Sequence, residues 1–116
     1  MLPVGRNTLS QRNPALMIAK VAAAIIPRRP MPTISTFYGI TIRMYPADHP
    51  PPHSHARYGE QEAIIDSRLA SVIRGSLPRG ALSLTLMWGE THRDELLENW
   101  ELCATRQRPN RIAPME

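Results

Sequence analysis

The sequence predicts an α+β domain: a small antiparallel sheet of three to four strands packed on a C-terminal helix or helix pair. Three observations carry that expectation. Period-two alternation with β-branched residues runs through residues 37–45 and resumes at 53–58. After Pro78 the apolar spacing becomes helical. The strand-like segments all precede the helical ones, so the two kinds of element are segregated along the chain.

The elements follow in order. In "FYGITIRMY", Ile40, Ile42 and Met44 point one way and Thr41, Arg43 and Tyr45 the other, as in a half-buried strand. Pro46 to Pro52 cannot continue it, because proline has no N–H for the ladder. "HSHARY" resumes the alternation, with Ala56 and Tyr58 on one face and His53, His55 and Arg57 on the other. Gly59-Glu60 reads as a tight turn. "QEAIIDS" is a third strand and "SVIRGS" a fourth. Pro78 suits the first turn of a helix. The segment that follows is apolar on nearly every side, then amphipathic with Leu96, Leu97, Trp100 and Cys103 on one stripe. Gly89 is the expected kink or division between two helices, and Pro109 the stop.

Residues 1–30 differ from the rest. They carry Arg6, Arg12, Lys20, Arg28 and Arg29 and no acid. The expectation is a basic, flexible extension; a short helix between Pro14 and Pro27 and a targeting segment are the alternatives. Residues 31–105 form the domain and 106–116 a C-terminal tail.

Length and composition restrict the function classes. A chain of 116 residues makes one small domain. No run approaches the ~20 apolar residues of a membrane span. One cysteine, Cys103, cannot form an internal disulfide, which fits a cytoplasmic protein. The net charge of +4 arises in the leader, whereas residues 31–116 carry nine arginines against ten acids. Bulk charge therefore gives the domain little affinity for a phosphate backbone.

The chemistry-bearing residues gather in "MYPADHPPPHSHARY", which holds three of the four histidines. Folding the first two strands about the proline loop, symmetrically about His49, sets Tyr45 opposite His53, Arg43 opposite His55 and Thr41 opposite Arg57. These pairs share one face, and Ile40, Ile42, Met44, Ala56 and Tyr58 share the other. Three uses of the polar face remain open. His53 and His55 can serve as an acid–base pair for phosphodiester chemistry, with Tyr45 as a supporting donor and Arg43, Arg57, Asp48 and His49 as anion-binding or orienting groups. They can bind a divalent ion with His49 or Asp48 completing the set, although Arg43 beside His55 works against a dication, and no metal ligand set is assigned. Or the block caps backbone groups of the proline loop and presents a contact surface to a protein. His92 is read as a surface histidine beside Trp88 and paired with Glu95. Trp88 and Trp100 are read as core anchors and Cys103 as a small apolar residue. The acidic run Glu90, Asp94, Glu95 and Glu98 is read as a solvated face, with a surface for a basic partner as the alternative.

"MPTISTFYGITIRMYPADHPPPHSHARYGEQEAIID", followed by "GSLPRGALSLTLMWGETHRDELLENWE", closely resembles the domain of unknown function 4160 family of small bacterial proteins. The resemblance covers roughly residues 31–105 and rests on the MPTIS start, the histidine block, the Gly-Ser-Leu-Pro before the helix and the Trp88–Trp100 helix. The leader, the Ser-Arg-Leu-Ala turn after Asp66, Met87 and Gly89 depart from the family pattern. The resemblance implies a small α+β domain without an established activity, often encoded beside a second small protein in an arrangement similar to toxin–antitoxin pairs. Its expected role is therefore a protein-interaction component of such a pair, with the neighbouring gene supplying the partner. A histidine-dependent nuclease, with RNA as substrate, or a metal-dependent hydrolase using residues 48–57 is the alternative.

Overall fold

A computed structural model describes residues 31–116. The readings made for residues 1–30 lie outside the described residues. Five strands form one antiparallel meander in the order β1-β2-β3-β4-β5: Thr33–Phe37, Ile40–Arg43, His53–Tyr58, Gln61–Asp66 and Ser71–Gly75. Two helices follow, α1 (Arg79–Thr91) and α2 (Arg93–Ala104). The α+β arrangement is the expected one, with one strand more.

The extra strand is β1. The segment read as a single strand over 37–45 is interrupted at Tyr38-Gly39, where both residues have positive φ (50° and 81°). A two-residue turn of that kind matches the twist of an antiparallel pair. It folds Thr33–Phe37 back onto β2, with Phe37 opposite Ile40. The β2–β3 register is the one symmetric about His49: Thr41 pairs with Arg57, Ile42 with Ala56 and Arg43 with His55. Gly59 takes the positive-φ position of the next turn, and Tyr58 pairs with Gln61. Asp66 shapes the turn into β5, its Oδ1 accepting the N–H groups of Arg68 (2.8 Å) and Leu69 (3.0 Å).

One face of the sheet carries the core. Ile40, Ile42, Met44, Ala56, Ala63 and Ile65 are all buried there against Trp88, Leu96, Trp100 and Cys103 of the helices. The Phe37 and Trp88 rings lie 5.1 Å apart. Tyr58 belongs to this face but is exposed, with its ring edge against Gly39 at the end of the sheet. Two helix expectations are corrected. The division falls at His92, whose N–H closes α1 on the Trp88 carbonyl and whose carbonyl opens α2 by accepting the Leu96 N–H. Gly89 stays within α1 and is buried. Nor is α1 buried on every side: Ala81, Thr85, Trp88 and Gly89 are, while Met87 is 57% exposed, because a helix lying on a sheet keeps its outer face in water.

Residues 106–116 run back along the domain. Ile112 is buried and its N–H donates to the Ile34 carbonyl of β1 (2.8 Å). The Asn99 amide bonds both backbone groups of Asn110, and the Trp88 indole N–H donates to the Ala113 carbonyl. The β1 edge is thereby covered. Among the described residues nothing covers the β5 edge: every residue of β5 is exposed, including Val72 and Ile73. Among the described residues, no helix is long and apolar enough to cross a membrane.

Candidate functional site

The site begins with alternation. His53 and His55 are two residues apart on β3, so both rings leave the sheet on the face opposite the core. Their centroids are 5.4 Å apart. Each residue is only 9% exposed, so the rings sit at the floor of a depression rather than on an open surface. Tyr45 packs its ring edge on His55 (4.8 Å between centroids). The Trp100 ring of α2, part of the core, lies 5.0 Å from that of His53. Trp100 therefore anchors the core and also packs against a site histidine.

Asp48 is brought in by the loop. The Ala47 N–H donates to the Cys103 carbonyl in the last turn of α2 (2.8 Å), with Ala47 at φ 52°, and this ties the loop to the helical layer. The loop then passes through a cis Pro50–Pro51 bond. Asp48 Oδ1 accepts the His49 N–H (2.7 Å) and Oδ2 lies 2.9 Å from His53 Nε2. The same Oδ2 is 3.8 Å from His55 Nε2. Partial burial works to raise the Asp48 pKa. The His49 N–H, the His53 hydrogen bond and the charges of the two imidazoles outweigh it, so the carboxyl is held below its usual value.

Three of the four ring nitrogens of His53 and His55 have definite partners. His53 Nδ1 donates to the Pro51 carbonyl (2.8 Å), which can only accept. Its Nε2 therefore faces Asp48 either as a second donor or with its lone pair directed to a cation. His55 Nδ1 lies 3.1 Å from Glu62 Oε2. That bond holds a proton on Nδ1, so the neutral ring carries its lone pair on Nε2. His55 Nε2 is buried and has no hydrogen-bond partner among the described residues. One potential ligand atom from each of Asp48, His53 and His55 lies within 4.8 Å of the other two.

A cleft of about 510 Å³ opens over this cluster. Tyr45, Asp48, His49 and the two histidines form its polar side. Ile64, opposite His55 in register, and Ile73 and Arg74 of β5 extend the lining along the same row. The remaining residues of the sequence-derived set lie elsewhere. Arg43 is opposite His55 in register, but its Nε donates to Thr33 Oγ1 (3.2 Å), which draws it toward β1. Arg57 is exposed beside Thr41 and Glu62. Neither lines the cleft; Arg74, on the fifth strand, does.

Glu62, Arg74 and Trp100 escaped the sequence reading. Glu62 had a usable signal. It is the diagonal neighbour of His55 across the Gly59-Glu60 turn, within reach of a long side chain. Arg74 had none, because a bulge between Ile64 and Ile65 sets how β5 faces the cleft. His92 stands apart, stacked near Trp88 and paired with Glu95 as expected.

A family model described as "Domain of unknown function (DUF4160)" matches residues 39–101. No curated protein and no solved structure matches the chain.

Proposed function

This chain belongs to the DUF4160 family, whose description carries no activity, and we propose that it is a hydrolase of phosphodiester bonds, with RNA as the substrate class and the Asp48–His53–His55 cleft as its active site. One observation carries the reading: two buried imidazoles and a carboxylate converge at the floor of an open cleft with a guanidinium on its wall. Buried polar groups without a structural partner are costly in a fold that needs only a closed loop. The arrangement suits an anionic substrate whose phosphate meets Arg74 and whose reacting phosphorus lies over the histidines. A water oxygen attacks phosphorus, its proton leaves to the cleft floor, the P–O bond to the leaving oxygen breaks, and that oxygen takes up a proton. The floor activates the water through the free His55 lone pair or through a bound cation.

The test is cleavage of short RNA substrates by the purified chain. The wild type should cleave, His55→Ala should abolish turnover, and Arg74→Ala should raise KM. An inactive wild type, or cleavage untouched by His53→Ala and His55→Ala, rejects the assignment.

A second reading is favoured by the two sheet edges. The β1 edge is covered by the C-terminal segment, whereas β5 exposes its outer edge with Val72, Ile73 and the adjacent Leu69. An open edge strand is a template for an added strand. In this reading the protein is an interaction component of a toxin–antitoxin-like pair in the cytoplasm, and the product of a neighbouring gene pairs with β5. Ile73→Lys should then prevent co-purification of the two proteins. A complex that survives Ile73→Lys and Val72→Lys rules out that surface.

A further inference from the structure

We propose that Asp48, His53 and His55 form a binding site for one first-row divalent cation of the zinc type, with His53 Nε2, His55 Nε2 and an Asp48 carboxylate oxygen as its three protein ligands. The inference deepens the hydrolase reading by naming its cofactor, but binding is measured without turnover, so the two fail separately.

The hydrogen-bond inventory points to a cation. A histidine that ligates through Nε2 needs its Nδ1–H held by an acceptor, which fixes the tautomer and aims the lone pair. Both histidines have this arrangement: the Pro51 carbonyl holds His53 Nδ1 at 2.8 Å and Glu62 holds His55 Nδ1 at 3.1 Å. An ion that displaces the proton from His53 Nε2 would then meet two lone pairs beside a carboxylate. His55 Nε2 is the independent sign of a ligand, because it is buried and has no hydrogen-bond partner among the described residues, while its residue is 9% exposed.

The spacing agrees. Ligand atoms ~2.0–2.2 Å from one ion at a tetrahedral angle stand roughly 3.4 Å apart. Asp48 Oδ2 is 2.9 Å from His53 Nε2 and 3.8 Å from His55 Nε2, so small rotations bring both to that value. Two imidazoles and one carboxylate suit zinc and its neighbours rather than magnesium or calcium, which prefer all-oxygen shells. Three protein ligands leave at least one position for water, and that position faces the cleft. Arg43, which register places opposite His55, turns to Thr33, and Arg74 is the guanidinium that lines the cleft. Glu62 is a positioning residue: it acts on the metal through His55.

The experiment uses the full, untagged chain, stripped with a chelator and titrated with Zn²⁺ by calorimetry, then with Co²⁺ by visible absorption. One equivalent of Zn²⁺ should bind, and Co²⁺ should give the intense d–d bands of a low-coordinate site. Glu62→Gln should lower Zn²⁺ affinity by about 10–100-fold, as loss of an outer partner does, and His55→Ala by more than that. His92→Gln should bind as the wild type does. Far-UV circular dichroism accompanies each variant. Should His55→Ala fail to fold, the wild type decides: Co²⁺ should shift or broaden the ring protons of His53 and His55 before those of His49 and His92. Failure of folded wild type to bind stoichiometric Zn²⁺, equal affinity in Glu62→Gln and His55→Ala, or Co²⁺ effects centred on another histidine would each overturn the site. RNA cleavage by folded protein that binds no Zn²⁺ overturns the site and leaves the hydrolase reading standing. Tight binding without cleavage does the reverse.

Discussion

The carboxylate of Glu62 lies 3.1 Å from Nδ1 of His55, across the turn that joins β3 to β4. Through that contact one strand sets the chemistry of its neighbour. It holds a proton on Nδ1, so the neutral ring turns its lone pair on Nε2 toward Asp48. In chelator-treated protein at neutral pH, long-range ¹H–¹⁵N spectra should show His55 as the Nδ1–H tautomer. Glu62→Ala should shift the population toward Nε2–H, the form preferred by a free imidazole. A wild-type His55 already in the Nε2–H form would contradict the contact.

Asn99 holds the C-terminal segment with two hydrogen bonds to Asn110, at 2.9 and 2.8 Å, and is 1% exposed. Asn99→Ala removes both and leaves a cavity beside two unsatisfied backbone groups. The expected cost is about 2–3 kcal/mol, or a fall in Tm of roughly 10–20 °C for a domain this size. Thermal unfolding followed by circular dichroism measures it, and an unchanged Tm would mean that the segment is not held as described.

Gly75 sits at φ 81° where a Cβ would lie 2.2 Å from the Glu62 carbonyl oxygen. The contact is with backbone, so no rotamer relieves it. Gly75→Ala should destabilise the protein by about 1–3 kcal/mol, and loosening β4 beside Glu62 should weaken Zn²⁺ binding too. Gly80 is the control: it is helical and open around the added methyl. Gly80→Ala should gain up to about 1 kcal/mol. Paired denaturant titrations should give opposite signs for the two substitutions.

Cys103 is 1% exposed, and burial pushes its thiol above the usual value of 9.0. The folded state therefore favours the neutral thiol. Its contribution to stability is complete below pH 9.0 and declines as pH rises through 9.0 toward the folded value, because the unfolded chain ionises first. Alkylation by iodoacetamide should be slow at pH 8 and should track global unfolding. Cys103→Ala should remove this part of the alkaline loss, and rapid labelling of the native protein would contradict the burial.

Much of the frame was legible because it depends on neighbours in sequence. Alternation in "ITIRMY" and "HSHARY", with a proline loop between them, makes the arrangement symmetric about His49 the simplest register that keeps Ile40, Ile42, Met44 and Ala56 together. That register, Arg43 opposite His55, is the one found. The same alternation puts His53 and His55 on one face. The helix division was legible in kind but displaced, because His92 closes one helix and opens the next through its own backbone groups.

The sequence by itself thus determined the segregation of aliphatic and polar faces, the register of the central hairpin and the gathering of imidazoles on one side of it, since strand periodicity acts over two residues. Only the tertiary structure decided where the side chains end. Asp48 turns onto His53 because α2 holds Ala47, Glu62 claims His55 across a diagonal, Thr33 draws Arg43 away, and a bulge delivers Arg74 to the cleft. Those outcomes depend on distances between segments far apart in the chain, and a pattern that repeats every two residues carries no information about them.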